Sequence, residues 1–212
     1  MCIAEKMLIY GLMKRRVFLG AAGATLIAGP ALAQRIPLDR LSAYFNTLTM
    51  AESAFTQLGD DGSRATGRIY LRRPGRLRFE YDPPNQTLVI ASAGTIGIFD
   101  PASNVRNAER YPLRRTPLKL ILEKNVDLAR RSMVVGHDFD GTSTIVTAQD
   151  PAEPELGRLQ MVFSDAPVRL RQWVVIDGAG SRTTVILDGL EARDSLPFGI
   201  FDIDAEEQRR AR

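Results

Sequence analysis

Arg76-Leu77-Arg78-Phe79-Glu80-Tyr81-Asp82 alternates without a break between charged and apolar side chains. A period of two places Leu77, Phe79 and Tyr81 on one face of an extended chain and the four charges on the other. That is the pattern of a strand with one face buried and one in water. Similar alternation recurs in Leu159, Met161 and Phe163, in Val168, Leu170, Val174 and Ile176, and in Val185 and Leu187. Asp61-Gly62, Asp140-Gly141 and Asp177-Gly178 supply hairpin turns that tolerate positive φ. Pro74-Gly75, Asp82-Pro83-Pro84 and Asp100-Pro101 supply further breaks. Connections this short join antiparallel strands, since parallel ones need crossover helices for which the chain has no room. Ten or eleven strands are predicted, more than an open sheet usually holds without curling.

Two helical patterns interrupt the strands. Leu38, Leu41, Phe45 and Leu48 follow Pro37 at spacings of three, four and three, one stripe of an N-terminal helix. Thr116 suits an N-cap and Pro117 a first helical position. Leu118, Ile121 and Leu122 then form an apolar stripe on a second helix, inserted between two groups of strands and expected to pack across the sheet. Asp150-Pro151-Ala152-Glu153-Pro154 reads as an exposed loop. No internal repeat or low-complexity linker appears, so residues 34–212 are expected to form a single domain.

The N-terminus carries an address. Lys14-Arg15-Arg16 precedes an apolar run from Val17 to Leu32, and Ala31-Leu32-Ala33 stands before Gln34. A basic region, an apolar run and an Ala-x-Ala site together describe a cleaved export signal. A membrane span needs about 20 apolar residues, and this run is shorter and holds Gly20, Gly23, Gly29 and Pro30. Arg15-Arg16-Val17-Phe18-Leu19 fits the twin-arginine route as well as the general secretory one. Translation beginning at Met13 would lose nothing that a signal needs. Of 28 basic and 25 acidic residues in the whole chain, four and one lie in residues 1–33, which leaves 24 of each. The isoelectric point near 9.2 therefore belongs to the signal. A neutral mature surface argues against nucleic-acid binding, which leans on positive potential. Cys2, the single cysteine, is lost with the signal. The mature protein then has no disulfide, no thiolate nucleophile, no thiolate metal site and no lipobox cysteine for its own anchoring.

Catalytic chemistry finds little support. His137 is the single histidine, and a hydrolase would need it beside a serine such as Ser132 or Ser143. No Gly-x-Ser-x-Gly elbow is present, and a histidine in an ordinary strand is expected to have no catalytic duty. Asp138, Asp140, Asp202 and Asp204 lack the spacing of a calcium loop, and no glycine-rich phosphate loop follows a strand. No metal or cofactor is expected. Arg72, Arg73, Arg76 and Arg78 cluster around one hairpin, with Arg114-Arg115 and Arg130-Arg131 elsewhere. They read as a solvated strand face, or as a set in which one guanidinium latches a mobile element through its fork of donors.

One ordered set of motifs adds a resemblance. Ala54-Phe55-Thr56-Gln57, then Gly67-Arg68-Ile69-Tyr70-Leu71-Arg72-Arg73-Pro74-Gly75-Arg76-Leu77-Arg78-Phe79-Glu80-Tyr81 with the Asp82-Pro83-Pro84 turn, resembles the outer-membrane lipoprotein carrier (LolA) family. Tyr111-Pro112-Leu113 with Thr116-Pro117-Leu118 is similar to that family's lid region. Trp173, Asp177-Gly178 and Thr183-Thr184 are similar to its late hairpin. The resemblance covers most of the mature chain. It implies an unclosed antiparallel β-barrel, a curled sheet with helices closing over an apolar cavity.

It also implies a soluble, monomeric periplasmic carrier, not an enzyme, that shelters the acyl chains of lipoproteins. Loading would come from the inner-membrane LolCDE transporter and delivery would go to the outer-membrane receptor LolB. In the family the arginine before this proline bonds to the lid, which points to Arg73 here. Strand alternation assigns the cavity lining to Leu77, Phe79, Tyr81, Leu88, Ile90, Leu159, Met161 and Phe163, and the underside of the lid to Leu118, Ile121 and Leu122. The alternative functions are a binding protein of the same fold for a sterol, hopanoid or glycolipid, and a hydrolase using His137.

Overall fold

The structure, a computed structural model, describes residues 34–105, 107–129 and 132–211. The expected export signal and Arg130-Arg131 lie outside the described residues. The chain enters through helix α1 (Leu38–Thr47). Four hairpin-linked strands follow, β1 (Met50–Leu58), β2 (Arg64–Arg72), β3 (Arg76–Tyr81) and β4 (Leu88–Ser92), then β5 (Thr95–Phe99) and β6 (Glu109–Pro112). A strap of about twenty residues leads to β7 (Val134–Phe139). The chain continues through β8 (Thr144–Gln149), β9 (Arg158–Ser164), β10 (Arg169–Ile176), β11 (Arg182–Leu187) and the short β12 (Glu191–Ala192), and ends in helix α2 (Ile203–Arg210).

Every strand pairing is antiparallel, in the order β6-β5-β4-β3-β2-β1-β11-β10-β9-β8-β7, with β12 beside the start of β1. The sheet is not closed, because β6 and β7 stand at opposite edges. These two edges are neighbours in sequence, so the strap between them has to cross the opening.

Ring contacts measure the curl. Phe79 on β3 and Trp173 on β10 stand four strand spacings apart, roughly 19 Å in a flat sheet. Their ring centroids lie 6.3 Å apart, edge to face. The sheet therefore rolls until one face meets itself, and that inner face carries the main core. Phe55, Ile69, Leu71, Leu77, Phe79, Ala91, Val146, Leu159, Met161, Phe163, Trp173 and Leu187 belong to a single apolar cluster there. Leu41, Phe45 and Leu48 of the N-terminal segment lie in the same cluster, as the predicted stripe requires, and so do strap residues Leu113, Leu120, Ile121, Leu122, Val126 and Leu128. The concavity of the sheet is filled by side chains from α1 and the strap.

Three local readings are corrected. The β3–β4 register sets Leu77 opposite Ala91 and Phe79 opposite Val89, while Ile90 faces Arg78 and Leu88 faces Glu80. Leu88 and Ile90 therefore point to the outer face, where they pack with Phe99 and Ile203. Period-two alternation is blind to which face is inside when both are covered, and here α2 covers the outer one. On β10 a bulge between Leu170 and Gln172 shifts the register. Trp173 thus joins Leu170 on the inner face, and Val174 and Ile176 turn outward. The turn after β10 takes its positive φ at Gly180 and not at Gly178.

The strap departs from the expected helix. It forms two 3-10 turns, Leu113–Arg115 and Pro117–Leu120, with Thr116 extended between them. The Thr116 hydroxyl donates back to the Leu113 carbonyl instead of capping the following turn. Three residues per turn align positions i and i+3, so Pro117 and Leu120 share the buried side. Leu118 is left half-buried, while Ile121 and Leu122 are buried just beyond the turn.

On the outer face Arg78 is buried. Its Nε donates to Glu80 at 2.6 Å and its Nη1 to the Ile200 carbonyl at 2.7 Å, so α2 and the preceding turn remove it from the solvated face that its alternation predicts.

Candidate functional site: a cover pinned by a buried arginine

The β2–β3 hairpin turns through Arg73-Pro74-Gly75 and delivers Arg73 to the end of α1. Only 8% of Arg73 is exposed. Its Nε donates to the Leu48 carbonyl at 2.9 Å, its Nη2 to the Phe45 carbonyl, and its Nη1 to the Glu123 carbonyl at 3.3 Å. Phe45 and Leu48 supply carbonyls at the C-terminus of α1, an end that favours a cation; the Phe45 carbonyl also accepts the Leu48 amide at 3.0 Å. Glu123 belongs to the strap. One planar fork thus holds both covering elements, a task that suits guanidinium geometry better than a lysine's point charge. Burial pulls the Arg73 guanidinium below its ordinary pKa, yet arginine stays charged at any physiological pH. Beside it the Gly75 amide donates to the Leu122 carbonyl at 2.8 Å, so the same hairpin grips the strap twice.

Beneath the pin the covering is greasy. Phe45 meets Phe163 of β9 edge to face at 5.8 Å, and Tyr44 meets the same ring at 6.3 Å. Of the predicted lining, Leu77, Phe79, Leu159, Met161 and Phe163 are buried on the inner face, with Tyr81 partly buried against them. The Tyr81 hydroxyl donates to Gln57 at 2.6 Å. Desolvation pushes its phenol up to about 12, against the opposing bond to Gln57.

At the far side of the strap Lys119 pairs with Asp150 and lies 3.7 Å from Glu153. A cleft of about 480 Å³ opens there, lined by Lys119, Leu120, Glu123, Ser132, Met133, Asp150 and Pro151. Leu120 and Met133 belong to the main core, so this is a place where the apolar interior approaches the surface. The Lys119 ammonium holds the Asp150 carboxyl below the usual carboxylate range.

The other sequence candidates fall elsewhere. His137 on β7 sets Nε2 2.9 Å from the Ile36 carbonyl, and Arg35 reaches the His137 carbonyl at 2.6 Å. Both contacts fasten the entering chain to an edge strand. No group of His, Cys, Asp and Glu suited to a metal ion occurs among the described residues, and none of their helices is long and apolar enough to cross a membrane. Sequence reasoning missed the groups of α1 that meet the strap. Asn46 and Ser42 hydrogen-bond to Val126 and Leu128, and read in sequence they are simply the polar side of an amphipathic helix.

Fold and site together define an open, curled antiparallel sheet whose apolar hollow is covered by a helix and a strap, both pinned by one buried arginine. Residues 46–204 match the family described as outer membrane lipoprotein carrier protein LolA. That is well over half of the chain, and the protein belongs to this family. The chain is 26% identical over 200 residues to an outer-membrane lipoprotein carrier protein of Azotobacter vinelandii, covering 91% of this chain and 95% of the relative. The corresponding protein of Pseudomonas paraeruginosa is 25% identical over 191 residues, covering 85% and 91%. Among solved structures, a DUF1329 family protein from Desulfovibrio piger superposes with a TM-score of 0.50 at 12% identity, over 79% of this chain and 95% of that one. That likeness speaks to the fold alone.

Proposed function

We propose that this protein is a periplasmic carrier, not an enzyme, that binds the acyl chains of lipoproteins and shuttles them from the inner to the outer membrane. The observation that carries the reading is the Arg73 pin, which holds α1 and the strap over an apolar concavity through hydrogen bonds to backbone carbonyls. A structural core needs no such release point, whereas a covered binding surface does.

The task explains the architecture. A triacylated lipoprotein carries on the order of 45 methylenes, and exposing them at ~0.8 kcal/mol each would cost roughly 35 kcal/mol. When α1 and the strap lift, Leu77, Phe79, Tyr81, Leu159, Met161 and Phe163 offer acyl chains the contacts they now give the lid, while Leu118, Ile121 and Leu122 form the lid's underside. Arg73 acts as the latch, so that the closed, cargo-free state is restored on delivery. Loading by the LolCDE transporter, hand-over to the receptor LolB and action as a monomer complete the proposal.

Mass spectrometry of whatever co-purifies with the protein from periplasm tests it. An acylated polypeptide is the expected ligand. A sterol, hopanoid or glycolipid would replace this reading by that of a binding protein for a free lipid.

A further inference from the structure

Ser42 and Asn46 stand four residues apart on one side of α1 and therefore share a face. Ser42 is buried there, and Asn46, itself exposed, turns its side-chain amide onto the strap. The Asn46 side-chain amide donates to the Val126 carbonyl at 3.0 Å and accepts from the Val126 amide at 3.0 Å, the two bonds one strand residue would make to another. Ser42 Oγ accepts the Leu128 amide at 2.9 Å and donates to the Leu38 carbonyl at 2.7 Å. Ser42, Val126 and Leu128 are all buried.

The contacts of α1 and the strap with the sheet are of another kind. Their middle is apolar, Phe45 and Tyr44 on Phe163. Polar ties stand at the margins, among them the Arg73 pin, the Gly75 amide on the Leu122 carbonyl, the Leu170 amide on the Tyr44 hydroxyl at 3.1 Å, the Arg40–Asp165 pair at 3.1 Å and the Lys119–Asp150 pair.

We infer that the Ser42–Asn46 clasp makes α1 and the strap one rigid body, and that hydrocarbon enters along the seam between this body and the inner face of the sheet. The physical reason is a difference in what hydrocarbon can replace. An acyl chain sliding over Phe163 substitutes one apolar contact for another. The same chain parting α1 from the strap would leave the backbone groups of buried Val126 and Leu128, and the buried Ser42 hydroxyl, facing alkyl groups that offer no partner. Ser42 and Asn46 are thus positioning residues that never touch the cargo. This inference rests on the carrier reading for its cargo, but its mechanical content stands apart from it.

Amide hydrogen exchange in the cargo-free protein tests that content. The amides of Val126 and Leu128 bond inside the proposed body, whereas those of Gly75 and Leu170 bond across the seam. Exchange at Val126 and Leu128 at least tenfold slower than at Gly75 and Leu170 is expected, with Asn46→Leu abolishing the difference at Val126. Equal rates, or slower exchange at Gly75 and Leu170, would overturn the single body. A second experiment uses a Cys2→Ser background and a short, reducible bis-thiol reagent. Tethering Lys119→Cys to Asp150→Cys closes the seam and should cut uptake of a fluorescent acylated peptide at least tenfold, restored by reductant. Undiminished uptake with the seam tethered would overturn the route. Failure of the untethered protein to take up the peptide at all would count against the carrier reading, while the exchange rates would still decide whether the lid is one body.

Discussion

Arg73 has exchanged its water for carbonyls of α1 and the strap, which under the proposed function it keeps only while these elements stay down. Hydrogen bonds from a charged group contribute about 1.5–3 kcal/mol, so losing the pin biases the lid toward the open state by about one to two powers of ten. Arg73→Leu should therefore accept cargo yet hand it on poorly, since the closed state no longer competes with bound acyl chains. Transfer of a labelled lipoprotein from the loaded variant to its receptor is the measurement, and delivery at the normal rate would reject the latch.

Tyr81 gives a pH-dependent counterpart. Its phenol keeps its proton up to about pH 12 in the folded protein, whereas an unfolded chain releases it near 10. Folding therefore holds a proton that the unfolded state sheds, and stability should be unaffected below pH 10 and decline as pH rises towards 12. Denaturant titrations at pH 9 and pH 11.5 should show the wild type losing about 1–2 kcal/mol more than Tyr81→Phe over that interval. Equal losses would mean that the phenol is more open to water than its surroundings indicate.

Arg73 itself was legible only through the family's Arg-Pro motif, because four arginines around a hairpin look alike by charge. What separates them is burial, and Arg78, which alternation assigns to water, is buried as well.

Among the elements, the strap shows how far periodicity reaches. Its apolar content announced that it would cover something, but spacings of three and one fit an α-helix and a 3-10 turn almost equally. The extended Thr116 ahead of Pro117 keeps the helical pieces short. Leu120, absent from the expected stripe, is 5% exposed and belongs to the core. Leu120→Ala should destabilise the closed protein by about 2–5 kcal/mol, read as a lower midpoint in denaturant, whereas a change below about 0.5 kcal/mol would place the residue outside the core.

The C-terminal helix is the complementary case. Its short apolar content gave no sign of an outer-face cover, yet Ile203 sits so close over β5 that a Cβ on Gly97 would stand 3.0 Å from Ile203 Cγ2 and 3.2 Å from the Ala108 Cβ. Gly97→Val is accordingly expected to loosen α2 and cost about 1–3 kcal/mol by overpacking. Faster amide exchange confined to residues 203–210 would show it, and unchanged exchange there would contradict the packing. The bulge on β10 was unreadable for a simpler reason. One extra residue reverses every following side chain, and nothing in Arg171 marks it as the extra one.

Seen whole, the molecule is a sheet too wide to lie flat, rolled until β3 meets β10, with its two edges joined in sequence by the strap that covers the gap. Strand count and turn spacing made the curl legible. They could not show that both faces would be covered, and so Leu88 and Ile90 were assigned to the wrong one. In the structure α1 and strap side chains fill the hollow; under the proposed function hydrocarbon takes their place.

The displacement of the lid by acyl chains is therefore the central claim. It is read most directly by the distance between spin labels on exposed Lys124 of the strap and exposed Arg171 of β10, measured with an acylated peptide and with the same peptide lacking its acyl chains. The account predicts a longer distance with the acylated peptide alone, by at least the thickness of a hydrocarbon chain. An unchanged distance at saturating acylated peptide would contradict it.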